Sequence, residues 1–376
     1  MPFLAYNETR PWAKAIREAV IARKMPPWFA DPKYGHFAND RSLSSSEIDT
    51  LVHWADAGAS AGDPKDSPPP RRWPEGWNIG TPDAVVEMPN AFPIPARGAI
   101  DYQYVILPAR FTKDMWVQNV EVRPSDRAAV HHAVVYIREA GSKWLEGEPR
   151  ETMFSAPLSK GFTTSDILMV YTPGNSFDGW PPGMAKRIKA GSDLVLQIHY
   201  TANGTAGADR TRIGVVFAKE PPQKAVLTLQ MGNDKFVIPP GDPNYRVQVS
   251  GSMPNDAQLI SLFPHMHLRG RGFEYTIAGA NGNVETLLKV NNYDFNWQLN
   301  YRLAAPRTIR AGTRLLWAGY FDNSANNPRN PDPNAEVRFG EQSWEEMMFG
   351  FYDIVIPSDM SLRELFTPKQ QPKKSD

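Results

Sequence analysis

The chain of 376 residues contains no cysteine. That absence excludes disulfides, thiolate metal sites, thiol nucleophiles and covalent c-type haem attachment, and it leaves His, Met, Asp and Glu to hold any metal. It does not by itself assign a compartment. An excess of charge is lacking too: Lys+Arg and Asp+Glu stand at 41 each. With no basic stripe or aromatic-interleaved basic patch, nucleic acid is not an expected partner. No segment approaches the roughly 20 consecutive apolar residues of a membrane helix, so no membrane partner is expected either. The opening "MPFLAYNETRPW" lacks the charged n-region and apolar h-region of a signal peptide. Nucleophile elbows of the G-x-S-x-G type, Walker motifs and Rossmann fingerprints are all missing.

What is present points to strands. The 35 prolines and 27 glycines are spread between short apolar runs rather than clustered, a pattern that suits β-sandwich architecture. Helical periodicity is confined to the first sixty or so residues. There, Pro11 fits a first helical position, and Trp12, Ala15, Ile16, Ala19 and Val20 recur at helical spacing until "MPPW". A second helix opens on a capping box, Ser44 with Glu47, and ends at Gly58. The expected organisation is a helical segment over 1–66, a Pro-rich linker over 67–78, a β-sandwich over 79–222, a second over 223–364 and a disordered tail over 365–376. The fold class is mainly β, with two tandem sandwiches.

Only seven histidines exist, and five fall in strand-like runs of the β region. In "FPHMHLRG", side chains of an extended strand alternate faces, so His265 and His267 project together while Met266 points away. That is chelate geometry. His131 and His132 are adjacent and can share a metal only at a strand start or bulge, and the preceding turn "EVRPSDRAA" makes a strand start plausible. In "DLVLQIHY", His199 shares a face with Val195 and Gln197, opposite Leu194, Leu196, Ile198 and Tyr200. Taken singly each is an ordinary polar strand residue; five confined to three β segments argue for a metal. Without thiolates, imidazole joined by a soft thioether suits copper. Candidate thioethers are Met266 and Met348, expected on the wrong faces, and Met347, which alternates with Phe349 and Phe351.

The order His-His, then "LQIHY", then His-x-His, then Glu-Met in a strand resembles the copper type II, ascorbate-dependent monooxygenases, the family of peptidylglycine α-hydroxylating monooxygenase and dopamine β-hydroxylase. The likeness spans roughly residues 80 to 360. It implies two jelly-roll-like sandwiches facing each other across a solvent-filled cleft, with one copper in each. By carry-over His131, His132 and His199 bind the electron-donating copper, and His265, His267 and Met347 bind the copper that takes dioxygen. The implied reaction inserts one oxygen atom into a C–H bond, with ascorbate, another small reductant or an electron-donor protein supplying electrons.

In peptide-amidating members an Arg before the His-x-His, and Asn and Tyr after the Met, hold a carboxylate. The matching positions here are Phe263, Phe349 and Phe351, which would form an apolar substrate wall hostile to a buried charge. A small apolar or aromatic organic molecule is therefore expected as substrate. The stretch "FDNSANNPRNPDPNAEVRFGEQSWEEMM" is closer to bacterial homologues of that family. The N-terminal run is similar to the C-terminal half of a cytochrome c domain, with Met25 at the axial position. Since no C-x-x-C-H motif is present, haem is not expected, and Met25 should pack against Trp12 or Trp28. The intact relative would be periplasmic or secreted. Readings from other classes are a copper-binding or interaction module without turnover, and a mononuclear zinc hydrolase on His265 and His267.

Overall fold

A computed structural model describes residues 3–69, 76–156, 166–279 and 282–368. The chain is mainly β, built as two sandwiches with a small N-terminal helical segment. In the first sandwich a five-stranded sheet runs Phe154–Ser155, Gln103–Pro108, Asp193–Tyr200, Val130–Arg138, Asp166–Tyr171. It packs on Ala84–Glu87, Arg212–Phe217, Met115–Arg123 and Met184–Ile188 through a core that includes Leu107, Val120, Val135, Leu196 and Ile213. The second sandwich sets Tyr245–Ser252, Arg314–Phe321, Gly270–Ala278 and Val284–Val290 against Lys224–Gly232, Phe349–Pro357, Ala257–His265 and Tyr301–Ile309. Trp317, Phe273, Tyr275, Leu262 and Ile354 fill its core.

The two units are joined rather than tethered. A short parallel pairing of Met184 and Ala185 with Lys224 and Ala225 runs the inner sheets together into one nine-stranded sheet. A third core forms between the sandwiches, where Tyr104, Ile106, Val134, Tyr136, Val170 and Val195 meet Phe263, Met347, Phe349 and Phe351. The five-stranded sheet is thus buried on both faces, which explains why every residue of Asp193–Tyr200 is buried. Leu194, Leu196, Ile198 and Tyr200 face the first core, and Val195 faces the junction. The expected solvent-filled cleft is absent. Apolar side chains on the outer face of the five-stranded sheet are covered by the phenylalanines of the second sandwich instead.

At this junction Lys186 is fully buried, a placement that needs compensation. Its Nζ donates to Ile167 O and Thr228 Oγ1 and lies 3.8 Å from Asp166. Burial pushes the Asp166 carboxyl up to about 6, with Lys186 opposing the shift. Lys186→Ala is expected to cost about 3–5 kcal/mol in urea unfolding, because it leaves a buried carboxylate without its cation.

The helical segment follows its sequence signals. The Ser44 and Glu47 capping box forms. Trp28 packs against Phe37 and Tyr301, with centroids at 5.8 and 4.9 Å, and bridges Ala30–Val290 and Phe37–Leu303 tie the segment to the second sandwich. Met25 does not enter a core: it is 46% exposed and sits beside Trp28 on an open groove. The chain end also differs from expectation. Helix Leu362–Phe366 starts on its own capping box, Leu365 is buried, and Asn255 Nδ2 donates to the carbonyls of Glu364, Leu365 and Thr367. Order therefore extends through 368, and residues 369–376 lie outside the described part, as do 70–75 of the linker.

Candidate metal centre

His131 and His132 are the second and third residues of Val130–Arg138. Opposite them the pairing slips: His199 is level with His132 and Tyr200 with Val130, so His131 is the extra residue of a bulge. A regular strand would send adjacent side chains to opposite faces; the bulge turns both imidazoles to one side. Ligand atoms of His131, His132 and His199 all lie within 4.8 Å of one another. The Nδ1 atoms of His131 and His132 are 3.2 Å apart. Tyr102 buttresses the group, its ring stacked on His199 at 4.8 Å and its hydroxyl 3.2 Å from His132 Nε2.

His265 ends strand Ala257–His265, and His267 follows with its ring centroid 5.4 Å away. Met266 turns into the second core, as alternation requires. His265 Nδ1 is 2.6 Å from Gln298 Oε1. Since an amide oxygen only accepts, Nδ1 carries the hydrogen and Nε2 is left as the ligand atom. The His267 backbone N–H donates to Glu346 Oε2 at 2.9 Å, and Arg269 N–H to Oε1 at 2.6 Å. Burial pushes Glu346 up to about 8, against these bonds. Glu346 and Met347 precede strand Phe349–Pro357 rather than lying in it, as a bridged segment beside Phe339. Met347 still faces the junction and Met348 the second core.

Between the histidine sets is a chamber of about 40 Å³ lined by His132, His265, Met347, Phe349, Phe351 and the wall residues Tyr136 and Gln197, among others. No charged side chain lines it. Phe263 does not reach this chamber. It packs against Phe351 at 5.8 Å and lines a neighbouring cavity of about 20 Å³, with Phe351 shared between the two. The apolar wall expected of Phe263, Phe349 and Phe351 is therefore formed by the last two, with Val134 and Val170 added from the first sandwich.

Electrostatically the five imidazoles are held neutral. Burial, then His199 and His265, lowers His131 to about 3; burial and His265 lower His199 to about 4; burial lowers His265 to about 4. His132 and His267 are also depressed, chiefly by burial and then by their neighbouring histidines. Neutral imidazole is the form that binds metal. His131 Nε2, His199 Nδ1 and both nitrogens of His267 are buried with no hydrogen bond of normal geometry. Such atoms cost free energy unless something else meets them, and a metal is the partner that imidazole nitrogens can take. The residues present therefore fit copper: clustered neutral nitrogens, a nearby thioether and no thiolate.

Tyr102, Gln298 and Phe295, which stacks on His131 at 4.1 Å, were not foreseeable as site residues, since none belongs to a spaced motif. His36 is exposed on the groove beside Met25, and His53 Nδ1 is 2.7 Å from Asp49 O on its own helix.

No protein-family model and no curated protein matches the chain. Among solved structures it is similar to the major capsid protein P2 from bacteriophage PM2, at 10% identity over 73% of this chain and 98% of that one, with a TM-score of 0.34. It is also similar to PNGF-II, at 9% identity over 73% and 64% with a TM-score of 0.32. A third is PNGase F, a glycosylasparaginase from Flavobacterium meningosepticum, at 9% identity over 71% and 95% with a TM-score of 0.24. Likenesses at these scores carry no argument about the site, whose chemistry rests on the residues themselves.

Proposed function

We propose that the chain is a copper-dependent monooxygenase that hydroxylates a C–H bond of a small, uncharged, apolar or aromatic molecule, with ascorbate or another donor supplying electrons. The observation that carries this reading is the set of buried imidazole nitrogens left without partners around a chamber that also holds a thioether. His131, His132 and His199 would hold one copper, and His265, His267 and Met347 the other. Copper in these positions supplies one-electron chemistry and a place for dioxygen to bind.

The chain's own residues do the rest. Tyr102 and Gln298 orient the imidazoles through their outer nitrogens, the usual means of fixing tautomer and ring angle around a metal. Phe349 and Phe351 keep bulk water from the chamber. Its neutral lining offers no partner for a carboxylate or ammonium, so a charged substrate would be bound at a large desolvation cost. At about 40 Å³ the chamber takes a water-sized ligand but no organic ring, so substrate must displace these phenylalanines or part the sandwiches. That small volume is the one observation favouring a copper-binding module without turnover. A zinc hydrolase is poorly served, because Glu346 already accepts from two backbone N–H groups and no other carboxylate is near the chamber.

Metal analysis joined to oxygen uptake separates these readings. Two coppers per chain, ascorbate-dependent oxygen consumption and hydroxylated product from neutral aromatics, with carboxylated analogues left unreacted, is the expected result. Copper without product would identify the binding module, and one firmly held zinc the hydrolase.

A further inference from the structure

The five imidazoles form one cluster. His132 of the first sandwich and His265 of the second have ring centroids 5.3 Å apart. That equals the spacing within each set, 5.2 Å for His132 to His199 and 5.4 Å for His265 to His267. The chamber lined by both His132 and His265 has room for one water-sized ligand.

One segment of the second sandwich holds this arrangement shut. Phe295 stacks flat on His131, with an interplanar angle of 18°. The carbonyl of Gln298 accepts from Thr172 Oγ1 at 2.7 Å, while its side chain meets His265. Asn300 and Arg302 donate to Asp178 Oδ1 at 3.3 and 2.7 Å. Residues 295–302 therefore bind the first sandwich at three buried or half-buried points and orient a candidate ligand from the same loop.

We infer that the metals taken by this cluster form one magnetically coupled pair that shares a small ligand in the chamber, rather than two independent centres. The inference rests on the copper reading above and deepens it. A metal sits about 2 Å from an imidazole nitrogen, so rings in edge contact around a single small void bring their ions to opposite sides of that void. Two divalent ions among neutral imidazoles in a buried site repel strongly, since no carboxylate lines the chamber. A small anion between them offsets that repulsion, and the void has its size.

The test is electron paramagnetic resonance of the full chain loaded with Cu(II), with bound copper measured on the same sample. Coupling predicts an integrated signal well below the copper content, together with a half-field transition. A Thr172→Val, Phe295→Leu double variant, which loosens the loop without removing a ligand, is expected to recover most of the missing signal at unchanged copper content. A parent spectrum of isolated Cu(II) that integrates to the full copper content overturns the coupled pair and leaves the copper reading standing. A chain that takes up no copper overturns both. A double variant as silent as the parent overturns the part assigned to residues 295–302.

Discussion

His199→Ala is expected to remove one of two coppers and to lower hydroxylation by about a thousandfold, equivalent to roughly 4 kcal/mol of barrier. The effect should be large because His199 is the sole contribution of its strand to the group. The Val130–Arg138 strand supplies His131 and His132 side by side through a bulge, and His199 closes the set from the neighbouring strand. Two imidazoles cannot complete a site that has no other nitrogen, sulfur or carboxylate ligand among its described neighbours. The fold should survive. His199 lies on the junction face of a strand whose other face holds Leu194, Leu196, Ile198 and Tyr200 in the first core, so only the stacking of Tyr102 is lost. Copper analysis, product formation and thermal melting of the metal-free chain check these three statements. Two coppers retained at parental affinity would show that His199 is not a ligand. In the coupled arrangement the same variant also converts a silent pair into one isolated Cu(II), giving a signal that rises as copper content falls.

The ligands were legible in the sequence because strand geometry is strict. Alternation places His265 with His267 and sends Met266 away, and it separates Met347 from Met348 even though both precede the strand itself. The adjacent pair His131 and His132 required an irregularity, and the structure has one there. What could not be read was the meeting of the two sandwiches. A residue such as Val195 or Phe351 looks the same in sequence whether its face covers a domain core, a cleft or a partner domain, since each environment asks only for an apolar side chain. For that reason the cleft was expected where a third core exists. Phe263 was assigned to the chamber by its spacing from His265, although Phe351 stands between them. The buttresses failed to show for a different cause. Tyr102, Phe295 and Gln298 reach the histidines from positions 30 or more residues distant in sequence, through loops and strand ends with no periodic signature.

Met347→Ile is expected to keep the fold and the first copper while lowering hydroxylation on the order of a thousandfold, again about 4 kcal/mol. Methionine and isoleucine have similar volumes, and such exchanges in a packed core usually cost under about 1.5 kcal/mol. Met347 is buried among Phe263, Phe349 and Phe351 in the junction core, so its replacement by a branched alkyl group preserves the packing. What disappears is the sulfur. A thioether is a soft donor that favours the reduced metal over the oxidised one, and no cysteine exists to take its place. With His265 and His267 alone, the second position should lose affinity for Cu(I) far more than for Cu(II), a distinction that a structural role for Met347 would not produce. Competition titrations in both oxidation states, beside product assays, provide the measurement. A variant that hydroxylates as well as the parent, or that loses both oxidation states equally, would place Met347 in the packing of the junction and remove it from the metal.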